Sequence, residues 1–143
     1  MAGVSMKKKV MHLISHLKMG GAETLITNYA LKIDKNKFDF IIVIISEKSN
    51  SINEQLLKEN GIKIISLGES LKFPSNTKNI FKKIFNKIHR HILFKRIVNK
   101  EKPDIINSHL QVNEYLIPIN VNRLKIKLFY TFHTEVSAIL EKG

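Results

Sequence analysis

Five short runs of β-branched and aromatic residues recur along the chain, separated by segments of helical period. The runs are Val10–Ile14, Phe38–Ile45, Ile62–Leu67, Ile105–Ser108 and Ile126–Thr131. Several are apolar at consecutive positions rather than alternating, as strands buried on both faces are. Between the first two, Ala22, Leu25, Ile26, Tyr29, Ala30 and Ile33 recur at helical spacing. Such an alternation predicts an α/β fold: a Rossmann-like parallel sheet of at least five strands with helices on both faces.

The remaining elements follow from local chemistry. Ser51 or Asn53 suits the cap of a second helix that ends near Asn60 and Gly61. Residues 68–77 read as a loop, since Pro74 disfavours a continuous helix there. Residues 79–100 form the longest predicted helix, with Ile80, Ile84, Ile88 and Ile92 on one stripe and Phe81, Phe85 and Phe94 widening it. Packing of that stripe on the sheet is the plain expectation. A short helix, weakened by Pro118, is expected over 113–120. The tail after Thr131 begins another helix-like run and stops, which suggests a truncated pattern. Residues 1–7 read as a leader, and 8–143 as one domain.

At 143 residues the chain is long enough for one domain that needs neither disulfide nor metal to fold. It has no cysteine, which removes thiolate metal sites and cysteine nucleophiles. The formal charge is +12, which favours anionic partners. Arginine occurs only at Arg90, Arg96 and Arg123, and base reading usually relies on arginine, so no specific nucleic acid is expected. No stretch reaches the ~20 apolar residues of a membrane span.

Ligands of parallel sheets bind at the carboxyl ends of the strands. Three features gather there. Met19-Gly20-Gly21-Ala22-Glu23 joins strand one to the first helix. Adjacent glycines permit positive φ and close ligand approach, and a helix N-terminus suits a diphosphate, although the motif alone favours a plain turn. His109 follows strand four and His133 follows strand five, each able to exchange a proton or to orient a hydroxyl. They complete no zinc signature, and no metal site is expected. His12, inside strand one, reads as a packed or hydrogen-bonded core residue. Lys82, Lys83, Lys87 and Arg90 belong to a basic face of the long helix, either merely solvated or set against anionic lipid headgroups.

The opening strand with Met19-Gly20-Gly21-Ala22-Glu23, a helix containing Asn28 and Ala30, Ser108-His109-Leu110 and Thr131-Phe132-His133-Thr134 together resemble the N-terminal domain of glycosyltransferase family 4. That family has the two-Rossmann GT-B fold, and the resemblance extends from about Lys8 to Glu135. It implies a nucleotide-sugar donor, used as substrate and not as a cofactor, and a glycan or glycolipid acceptor. Gly20 and Gly21 would meet the donor diphosphate. His109 or His133 would position the reacting sugar, and His16, Asn113 and Thr131 would contact the acceptor. It also implies synthesis of cell-surface polysaccharide or lipopolysaccharide, in the cytoplasm or on the inner face of its membrane, without a bound metal. The Asn113-Glu114-Tyr115-Leu116 region departs from the family pattern, where a glycine often stands. The family's C-terminal donor-binding domain has no counterpart in these residues, so the isolated chain is expected to be inactive. A stand-alone Rossmann-like binding or regulatory module, a split-enzyme subunit, and a basic nucleic-acid-binding protein are the competing readings.

Overall fold

The computed structural model describes residues 6–109 and 112–131. Five strands, β1 (Lys8–Ile14), β2 (Phe38–Ile44), β3 (Lys63–Ser66), β4 (Ile105–His109) and β5 (Lys127–Thr131), form one sheet in the order β3-β2-β1-β4-β5. Every pairing is parallel. The strand order reverses between β1 and β4, so the crevice at their carboxyl ends is the topological switch point. The α/β class and the five strands agree with the sequence reading. His109, however, ends β4 and does not follow it.

Alternate residues of each strand face two separate cores. Val10, Ile14, Phe40, Ile42 and Ile44 pack against α1 (Gly21–Lys32) and α2 (Ile52–Glu59) through Ala22, Ile26, Ala30 and Leu57. Met11, Leu13, Ile41, Val43 and Ile106 pack on the other side against Phe94 and Val98 of α3 (Ile80–Glu101). A residue in β1 therefore chooses its face by parity, and His12 shares the α1 face with Val10 and Ile14.

The caps explain the helix limits. Ser51 accepts from the Glu54 N–H, and the Glu54 carboxylate reaches back to the Ser49 and Asn50 N–H groups, a reciprocal arrangement of capping-box kind. At the other end Gly61 takes φ +73°, Ile62 N–H donates to Leu57 O and Gly61 N–H to Lys58 O. That is a Schellman stop, and it requires the left-handed residue that glycine supplies most cheaply. Asn79 caps α3.

Two expectations need correction. The isoleucine stripe of α3 does not pack on the sheet: Ile80, Ile84, Ile88 and Ile92 are 64, 52, 54 and 46% exposed, while Phe94 is fully buried. At 3.6 residues per turn the core-facing Ile97 lies about 180° round the helix from Ile88. The stripe and the buried face are thus different faces of one helix. Its first half is held to the 68–77 loop instead, where buried Asn86 donates to Phe73 O and accepts from Phe73 N–H. The second correction concerns 113–120. A single 3-10 turn, Asn113–Leu116, stands there, and a short helix α4 (Val121–Leu124), capped by Asn120, follows Pro118. A proline lacking its N–H favours ending one turn and starting another over one continuous helix.

Candidate functional site

The carboxyl edge of the sheet is assembled from β1, β4, β5 and the β1–α1 loop. Register pairs His12 with Asn107 and His109 with Thr131, which sets Asn107, His109 and Thr131 on the same face as His12. His12 Nδ1 lies 2.6 Å from His109 Nε2, both rings being buried. The ring centroids are 4.9 Å apart and the planes inclined by 24°. The two imidazoles therefore meet nearly edge to edge, in the plane where an N–H and a lone pair point, and do not stack face on face. Phe40 does stack on His12, at 4.4 Å and 19°. Burial first, and then the adjacent His109, push the His12 imidazole from 6.5 down to about 3. His12 is accordingly neutral at physiological pH. Beside it, Thr131 Oγ1 donates to Asn107 Oδ1 at 2.9 Å.

The β1–α1 loop is fastened from α2. Ser51 Oγ donates to Leu17 O at 2.6 Å, and Asn53 Nδ2 donates to Leu17 O and Lys18 O. Gly20 caps α1 with an extended backbone, φ 177°, and no side-chain cap. Neither Gly20 nor Gly21 takes a left-handed φ, which corrects that part of the expectation. A Cβ on Gly20 would sit 2.2 Å from Glu23 Oε2, so the Glu23 carboxylate would have to turn aside. A Cβ on Gly21 would meet nothing within 4 Å. The buried Glu23 carboxylate thus occupies the helix N-terminus, with His16 Nδ1 3.4 Å from its Oε1. A carboxylate there already complements the positive helix end, and the open space of the loop is at Gly21.

The other sequence-chosen residues scatter. Asn113 accepts from Ser108 Oγ at 2.6 Å, and Ser108 faces the α3 side of the sheet, away from His109. His133 lies outside the described residues. Lys82 and Lys83 are exposed, Lys87 pairs with Glu114 at 2.9 Å, and Arg90 turns toward Tyr115 with its Nε buried. Sequence reasoning left His12 in the core and missed its contact with His109. A polar residue within an apolar strand, in the strand that a 3-2-1-4-5 order sets beside strand four, was the available signal. Among the described residues no group of three His, Asp or Glu could hold a metal ion, and no helix is long and apolar enough to cross a membrane.

A Rossmann-like α/β domain of the kind that forms the N-terminal half of a GT-B enzyme is what this fold defines. No protein-family model matches the chain. The Bacillus subtilis (strain 168) protein named "Putative glycosyltransferase EpsF" is 32% identical over 96 residues, 63% of this chain. A glycosyltransferase from Rickettsia africae superposes with a TM-score of 0.55 over 89% of the chain at 19% identity. The C-terminal domain of the PF1911 hydrogenase from Pyrococcus furiosus gives 0.57 over 88% of this chain and 93% of its own, at 14% identity. These structural likenesses show the fold. The chain spans 25% of the length of EpsF and 30% of the Rickettsia enzyme.

Proposed function

We propose that this domain is the acceptor-side half of a GT-B glycosyltransferase of family 4. It would move a sugar from a nucleotide-sugar to a glycan or glycolipid during cell-surface polysaccharide or lipopolysaccharide synthesis. The observation that carries the reading is the meeting of His109, Thr131 and the start of α1 along one carboxyl edge at the switch point. Identity with EpsF supports the sugar-transfer class.

In this reading the N–H groups at Gly21 and the first turn of α1 meet the donor diphosphate. His109 positions the reacting sugar or its leaving oxygen, a task it shares with His133. Thr131 and His16 contact the acceptor from either side of the cleft. Asn113, turned to Ser108, would have to leave that bond to join them. Charge on the diphosphate is met by backbone donors and lysines, with no metal required. A second α/β domain supplies the nucleotide pocket. The coding sequence beyond Gly143 tests this. An in-frame second α/β domain is expected; a stop codon there would overturn the enzyme-half reading. It would favour the separate-module reading.

The same reading sets the domain on an anionic membrane face through α3. Its exposed Ile84, Ile88, Ile92, Phe81 and Phe85 form an apolar stripe, and Lys78, Lys82, Lys83 and Lys95 are exposed cations of the same helix region. A stripe of this kind enters the headgroup boundary while lysines meet lipid phosphates. Phosphatidylglycerol vesicles should sediment the chain and phosphatidylcholine vesicles should not. Preference for an oligonucleotide over anionic vesicles would overturn the membrane assignment.

A further inference from the structure

His12 has no part in the transfer reading, yet it holds one nitrogen of the residue at that reading's centre. We propose that His12 is a positioning residue that locks the tautomer of His109 to its own. A separation of 2.6 Å between His12 Nδ1 and His109 Nε2 accommodates one hydrogen. Neutral imidazole carries a proton on one nitrogen and a lone pair on the other. If the shared hydrogen belongs to His12 Nδ1, then His109 Nε2 accepts and the His109 proton is on Nδ1. Both rings are then Nδ1–H. If it belongs to His109 Nε2, then His12 Nδ1 accepts and its own proton is on Nε2. Both rings are then Nε2–H. The two mixed combinations would press two hydrogens, or two lone pairs, against each other.

The surroundings favour this neutral, matched state. Both imidazoles are buried, and Phe40 clamps the plane of His12. Tyr29 and Lys32 of α1 line the same shallow hollow of about 290 Å³ as His12, with Val10, Ile33 and Phe40. With Nε2 committed to His12, any further partner of His109 is met through Nδ1. The lock decides whether that nitrogen donates or accepts. This consequence rests on the glycosyl-transfer reading, but the lock itself does not.

Long-range 1H–15N spectra of the 15N-labelled chain near pH 7.5, far above the titration of His12, read the tautomers directly. Equal tautomer populations in His12 and His109 are expected, and opposite tautomers would overturn the proposal. In His12→Phe, which keeps a stacking ring and deletes the nitrogen, the His109 tautomer ratio should change. An unchanged His109 spectrum would also overturn it. Should that variant fail to fold, the wild-type spectrum still decides, and His12→Asn offers an amide near the lost Nδ1. No sugar or nucleotide is present in these spectra. Loss of the transfer reading would therefore leave matched tautomers standing, and mismatched tautomers would leave the transfer reading standing.

Discussion

His12 and His109 are 97 positions apart in the chain and 2.6 Å apart in the fold, nitrogen to nitrogen. Parallel pairing of β1 with β4 creates that contact, because His12 stands opposite Asn107 and His109 lies two residues further along the same face.

Burial of His12, with His109 beside it, makes stability depend on pH. In the folded chain His12 titrates near 3, against 6.5 for an ordinary histidine, so between those values the unfolded chain binds the extra proton. Stability from this source is fully present above pH 6.5 and is lost as pH falls toward 3. The loss should be on the order of a few kcal/mol. Urea unfolding at pH 8 and pH 4.5 checks it. His12→Phe should flatten the difference, while costing about 1–3 kcal/mol at pH 8 for the lost His12–His109 hydrogen bond.

The two faces of α3 should answer differently to truncation. Phe94→Ala removes a fully buried ring and should cost about 3–5 kcal/mol in urea unfolding. Ile88→Ala, on the exposed stripe, should stay within about 0.5 kcal/mol. The same Ile88→Ala should weaken sedimentation with phosphatidylglycerol vesicles.

Adjacent glycines of the β1–α1 loop should separate as well. Gly20→Ala drives a methyl into the buried Glu23 carboxylate and should lower the melting temperature. Gly21→Ala has open space and should leave stability unchanged or raise it by about 0.4–1 kcal/mol. It should nonetheless weaken a nucleoside diphosphate held at the Gly21 N–H, as seen in NMR titration.

Ser51 serves two elements at once, capping α2 and holding Leu17 O. Ser51→Ala should cost about 1–2 kcal/mol. Amide hydrogen exchange should quicken in the 15–20 loop as well as in the first turn of α2.

Much of the sheet was legible because β-branched runs and turn residues mark strands locally. Gly61 after Asn60 and Ser51 before Ile52 announced the ends of α2 for the same reason. The α3 stripe misled because an apolar periodicity reports that a helix has a face, without saying what covers it. The twist of α3 that buries Phe94 and Val98 leaves Ile88 on another side. His12 was illegible as a partner of His109 because strand adjacency and parity are properties of the sheet and not of either segment. Gly20 was misread in its mechanism: its backbone is extended and makes no left-handed turn, and what a side chain there would meet is the Glu23 carboxylate.

The central claim is that the edge carrying Gly21 and His109 is where this domain meets its ligand. Titration of the 15N-labelled chain with uridine diphosphate, observed by 1H–15N correlation, tests it most directly. Weak saturable binding in the millimolar range, roughly −4 kcal/mol, is predicted, with shifts at the Gly20 and Gly21 amides and the His109 ring. Shifts confined to the lysines of α3, or none at that edge, would contradict it.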